Sequence, residues 1–93
     1  MDKTTRQEEI NAALAKGDAA LALRLADEAE GVDGESAELH YLRGKAHMRR
    51  SDWRQALNAF LAAERLDPQS PARECRLMLE DIMEFHNKDL YNQ

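Results

Sequence analysis

Shifted against itself by 34 residues, the chain matches at eight positions within one period. Ala12 meets Ala46, Asp18 meets Asp52, Ala22 meets Ala56 and Leu23 meets Leu57; Ala29, Glu30, Asp33 and Ser36 then meet Ala63, Glu64, Asp67 and Ser70. These are small residues and turn residues, the types that close helix approach and chain reversal require. A fixed interval of this length marks a helical hairpin repeated along the chain, each hairpin burying its apolar face on the next. The 93 residues hold two such periods and part of a third, within the span of a single domain.

Composition points the same way. Ala (15) and Leu (12) dominate, whereas Val, Ile and Thr together number five, a balance that favours helix over strand. Thr5 with Glu8 reads as a capping box opening a first helix to about Lys16. Gly17 ends it and Asp18 caps a second helix to about Glu30, with Ala22, Leu25, Ala26 and Ala29 as its apolar stripe. The connector 31–35 contains two glycines, both free to take positive φ. Ser36 caps a third helix to about Arg50, Asp52 with Gln55 opens a fourth to about Leu66, and Ser70-Pro71 starts a fifth to about Asn87. Leu77, Met78, Ile82 and Phe85 are expected to point that fifth helix at the core. The expected fold is all-α: five antiparallel helices joined by short loops.

Net charge is −5, spread unevenly: −5 over residues 1–36, +2 over 37–70 and −2 over 71–93. An acidic chain argues against nonspecific binding to nucleic acid. No apolar run reaches the roughly 18 residues of a bilayer span, the first residues show no secretory signal, and the single Cys75 suits a reducing compartment. A cytoplasmic protein is the expectation. Arg43, Lys45, Arg49, Arg50 and Arg54 form a basic run in this acidic chain.

Residues 37–70 resemble the tetratricopeptide repeat (TPR) family. That family's W-x2-L-G-x2-Y…A-x3-F…P pattern falls on His40, Arg43, Gly44, His47, Ala56, Phe60 and Pro68, with Ala63 at its further Ala. The stretch 51–57 resembles the family's Gly-Asp-Tyr turn, and Leu66-Asp67-Pro68 its usual ending. His40, Arg43 and His47 depart from the pattern's large residues. Residues 3–36 resemble a degenerate first repeat, with Gly17, Ala22 and Ala29 in place but Ile10 for Gly, Ala26 for Phe and Gly34 for Pro. Residues 71–87 resemble a closing helix and 88–93 a tail, and the whole is similar to small stand-alone bacterial TPR proteins.

The resemblance implies a concave groove lined by the first helix of each hairpin. Carried over, it would use Gln7, Asn11 and Leu14 from the first helix and Tyr41, Leu42, Lys45, Met48 and Arg49 from the third. The fifth would add Cys75, Arg76, Leu79 and Met83. Of the family's carboxylate clamp for chaperone tails only Asn11 and Arg76 match, with Gln7, Leu42 and Ala72 at the other positions, so a chaperone tail is not the expected ligand. The implied partner is a protein or peptide segment, acidic or ending in a carboxylate; Lys45 and Arg49 read equally well as a solvated face. The alternative reading is a structural subunit whose groove and fifth helix mediate homo-oligomerisation, and a monomer or weak homodimer is expected.

Nothing in the sequence reads as an enzyme, a cofactor site or a metal site. His40 and His47 lie two turns apart, about 10 Å along the axis by the helical rise, too far for one zinc ion. Cys75 has no His or Asp at a spacing that would activate it. Trp53 is expected to wedge within its own hairpin.

Overall fold

The computed structural model describes residues 1–91, and of 86–91 the helical backbone alone. Five helices follow in order: α1 (Lys3–Ala15), α2 (Ala19–Asp33), α3 (Ala37–Arg49), α4 (Trp53–Leu66) and α5 (Ala72–Tyr91). The fold is all-α. α1 packs on α2 and α3 on α4 as two hairpins, and α5 lies against α4. α2 joins the hairpins through α3, and α1 also reaches α3. The body is elongated, 51 × 28 × 18 Å, as expected of hairpins stacked in one direction.

Both hairpins turn in the same way. After α1, the Gly17 N–H donates to the Leu14 carbonyl (3.0 Å) and the Asp18 N–H to that of Ala13 (2.9 Å). After α3, Ser51 donates to Met48 (3.0 Å) and Asp52 to His47 (2.9 Å). This pair of bonds is the Schellman motif, which needs a left-handed residue at the turn. Gly17 supplies it at φ +82°, and Ser51 adopts it at φ +58°. The four residues involved in each turn are 34 residues apart, so the sequence period is a structural one.

Two helix ends differ from expectation. Asp2, not Thr5, caps α1: its carboxylate accepts from the Thr5 N–H at 2.8 Å, and the helix begins at Lys3. α2 runs past Glu30 to Asp33, so Gly31 is helical and only Gly34 takes positive φ, +85°. The extra turn ends on an acidic residue, against the helix dipole, and Arg6 of α1 compensates by donating to both Asp33 oxygens. That pair holds the Asp33 carboxyl below the usual carboxylate range.

The core forms two connected clusters. One gathers Ile10, Ala13, Leu14, Ala22, Ala26, Ala29, Leu39, Leu42 and Ala46. The other holds Ala56, Phe60, Ala63, Ala72 and Leu79, with Trp53, Met48, Cys75 and Met83 packed around them. The expected close contacts are present: Ala22, Ala29, Ala56, Phe60 and Ala63 are all at most 1% exposed, and a Cβ on Gly44 would lie 2.4 Å from the Phe60 ring. Pro68, exposed, closes off α4.

α5 is rotated from its expected face. Leu77, Met78 and Phe85 are 48, 50 and 64% exposed, whereas Ala72 and Leu79 are fully buried. The buried positions Leu39, Leu42 and Ala46 of α3 recur as buried Ala72, half-buried Cys75 and buried Leu79, an interval of 33 residues. Arg43, bonded to Glu30 of α2, likewise recurs as Arg76, bonded to Glu64 of α4. α4 ends at Leu66 before Pro68, one residue short of the repeat of Asp33, and the face that α5 buries is set one residue out of phase with that of α3. One residue is a 100° rotation on a helix. α5 also continues past Asn87 to Tyr91, through part of the expected tail, whose side chains lie outside the described residues.

Candidate functional site

The inner helices α1, α3 and α5 enclose an open groove of about 410 Å³. α1 contributes Asn11, Leu14 and Ala15; α3 contributes Lys45, Met48 and Arg49; α5 contributes Cys75 and Met78. The first two sets are the same three positions one period apart. Their spacing (i, i+3, i+4) puts each trio on one helix face, and the shared hairpin geometry turns both faces the same way.

The lining is apolar with a basic margin. Leu14, Met48, Cys75 and Met78 supply the apolar surface, and among the described residues no acid lines the groove. Lys45 sits with its ammonium 5.2 Å from the Tyr41 ring centroid, within cation–π range. Neither Lys45 nor Arg49 takes part in an ion pair among the described residues. By contrast Arg6, Arg43, Arg65 and Arg76 are each held by a carboxylate. Arg49 reaches back to the Gly17 turn, its Nη1 3.9 Å from where a Cβ on Gly17 would be. Asn11 is oriented by its own helix, its Nδ2 donating to the Gln7 carbonyl at 3.2 Å.

Of the residues expected to line the groove, Asn11, Leu14, Lys45, Met48 and Arg49 do so, as does Cys75. Gln7 stands a turn away and touches the site only through Asn11. Leu42 and Leu79 are at most 1% exposed and belong to the core. Tyr41 is half-buried between the two clusters, tilted at 47° against Phe60; burial, and then the neighbouring Cys75, push its hydroxyl above the ordinary tyrosine value. Met83 packs on the core instead. Arg76 faces α4, where its guanidinium donates to Glu64, and it also donates to Glu80 one turn on along α5; those hydrogen bonds raise its already high pKa. The expectation that Arg76 joins Lys45 and Arg49 in one concavity is therefore corrected. The one-residue phase change of α5 accounts for Arg76 and Leu79 together, and it brings in Met78, at the repeat of Lys45. Ala15 was legible as the repeat of Arg49.

Among the described residues, the histidines and the other acids form no further centre. His40 bonds Glu35 at 3.0 Å. His47 Nδ1 is buried without a hydrogen bond, 3.9 Å from Asp52, and burial lowers its pKa below 6.5. Among the described residues no three His, Cys, Asp or Glu side chains converge as a metal site would need, and no helix is long and apolar enough to cross a membrane.

Comparison with known proteins places this architecture in company. No family model matches the chain, and no curated protein matches it. The solution NMR structure of Bacteroides fragilis protein BF1650 is 39% identical to it, over 94% of this chain and 89% of that one, with a TM-score of 0.78. At that identity and coverage the chain belongs to the same family as BF1650.

Proposed function

We propose that this protein is a non-catalytic interaction module of tetratricopeptide-repeat type, cytoplasmic and bacterial, whose groove receives an acidic or carboxylate-bearing segment of another protein. The single observation that carries the reading is the pair Lys45 and Arg49: among the described residues, cations without a carboxylate partner, on one helix face, beside an apolar floor with no acid in it. Charge of that kind supplies on-rate and register, and apolar anchors against Leu14, Met48 and Met78 supply most of the affinity. The 34-residue structural repeat and the inner-helix lining support the family assignment.

The test uses a panel of synthetic peptides mixing Leu with Asp and Glu, each with a free or an amidated C-terminus, titrated by fluorescence anisotropy. Binding by the wild type, weakened at low salt by Arg49→Glu with an unchanged melting curve, is the expected result, because Arg49 is exposed and unpaired. Binding that survives Arg49→Glu, or a variant that unfolds, would remove the reading.

A further inference from the structure

The two hairpin turns share a backbone and differ in side-chain chemistry. In each, the N–H of an aspartate donates at 2.9 Å to the carbonyl five residues earlier, Asp18 to Ala13 and Asp52 to His47. Each aspartate also stands at a helix N-cap, where its carboxylate can accept from an amide of the first turn. Asp18 does so, from the Leu21 N–H at 3.0 Å. Asp52 has Gln55 at the same spacing, yet makes no side-chain cap bond. Its carboxylate lies instead beside His47, with Oδ2 3.9 Å from Nδ1. That nitrogen is buried without a hydrogen-bond partner among the described residues, a costly state for a polar atom. The difference traces to one position of the repeat: Ala13 offers Asp18 nothing, whereas His47 offers Asp52 a second partner.

We propose that Asp52 is a two-position latch on the second turn, worked by a proton on His47. With the imidazole neutral, the carboxylate swings to the Gln55 N–H and caps α4 as Asp18 caps α2. With the imidazole protonated, Nδ1–H draws the carboxylate to itself and α4 gives up its cap. A side-chain rotation is enough, because the backbone bond from Asp52 to His47 already holds the two residues together. The surrounding charges leave Asp52 as the carboxylate that can move. Asp52 and, from α2, Asp27 favour the imidazolium, whereas Arg50 and Arg43 oppose it. Asp27 is engaged by Arg43, which also holds Glu30. α1 ends in Lys16, a cation, and the first acid of α4 is Glu64, which Arg76 holds. Burial lowers the His47 pKa below 6.5, which sets the change on the acid side of neutrality. The segment released is the first turn of α4, from Trp53, beside Arg49 and Arg50 at the end of α3. The latch stands without the groove reading.

An NMR titration of the isotope-labelled chain, from about pH 8 to about pH 5, reads ring and amide together across the histidine range. The Gln55 amide should move with the same midpoint as the His47 ring, and the Leu21 amide, capped by Asp18, should not follow it. Asp52→Asn separates the latch from mere closeness to the ring, since Asn caps as well as Asp and carries no charge to be drawn. In that variant the Gln55 amide should hold still while His47 titrates, and the His47 midpoint should fall by about half a pH unit or more. His47→Ala copies the first hairpin; it should make the Gln55 amide independent of pH and slow its hydrogen exchange at about pH 5 by at least about threefold, the order of effect of a cap. If His47→Ala fails to fold, the Asp52→Asn titration decides alone. A Gln55 amide that ignores the His47 midpoint in the wild type, or still follows it in Asp52→Asn, would overturn the proposal. So would a His47 midpoint that Asp52→Asn leaves in place.

Discussion

The two hairpins solve one packing problem with opposite residues. At a position where the inner helix meets its partner, the first hairpin has Ile10 with Ala26, and the second has Gly44 with Phe60. All four are buried, with Ile10, Ala26 and Phe60 at 0% exposure. The large side chain comes from the inner helix in one case and from the outer helix in the other. Judged singly, Ile10 and Ala26 are departures from the repeat pattern; judged as a pair, they conserve the volume that a close-packed interface must fill. What the hairpins share is a backbone and a filled contact, not a residue.

The strongest way to break that comparison is a size-swap cycle. Phe60→Ala should cost about 3–5 kcal/mol by emptying the contact. Gly44→Ile alone should also destabilise strongly, by about 3 kcal/mol or more, because its Cβ would fall within 2.4–2.8 Å of the Phe60 ring carbons. The double variant Gly44→Ile/Phe60→Ala reproduces the first hairpin's solution and should recover much of the combined loss. Urea unfolding of the four proteins gives the coupling energy. Simple additivity would show that the two hairpins are not interchangeable at this contact.

Smaller, and also a contrast between hairpins, is Ala56→Leu. Ala56 is fully buried where its helices approach, as is Ala22 one period earlier. Overpacking at either alanine should cost about 1–3 kcal/mol, read from a thermal melt.

The turns differ more gently. Both need a left-handed residue, which Gly17 adopts freely and Ser51 adopts against its Cβ. Ser51→Gly should stabilise the protein by up to about 1 kcal/mol, and Gly17→Ser should cost a similar amount. A fall in stability on Ser51→Gly would mean that the serine contributes something beyond its backbone conformation.

The least effect is expected from pH. His47 stands where the first hairpin has buried Ala13, so only the second hairpin titrates here. Burial depresses its folded-state pKa below 6.5, so between that value and 6.5 the unfolded chain binds the proton first. Stability present above pH 6.5 should decline as pH falls through this window. His47→Gln should flatten that part of the melting-temperature profile, and an unchanged slope would locate the titrating group elsewhere.

Much of this was legible in residues alone. The 34-residue interval, the alanine stripes of α2 and α4, the Gly17-Asp18 turn and the caps at Asp18 and Ser36 are local, and local chemistry writes them directly into sequence. The α3 face of the groove was legible for the same reason, since Lys45, Met48 and Arg49 share one helical register. Arg43, read as a lone departure from an apolar position, acquires its sense only from Asp27 and Glu30 across the hairpin junction, at 2.9 Å each. Burial pulls its pKa down, and the hydrogen bonds and charges of those two carboxylates together raise it by more.

α5 marks where sequence by itself stopped. Its helix, its start after Pro71 and its apolar residues were all readable, and its rotation was not. With Leu77, Met78, Leu79, Ile82, Met83 and Phe85 spread around the helix, hydrophobic pattern allows more than one inward face. The choice was made by what α4 offered: Glu64 claimed Arg76, and Leu79 joined the cluster around Phe60. Sequence determined the hairpins because each is specified by contacts within a few turns of chain. Only the tertiary structure decided which side of α5 faces the core, the groove or solvent, because that phase depends on contacts with residues already folded beneath it.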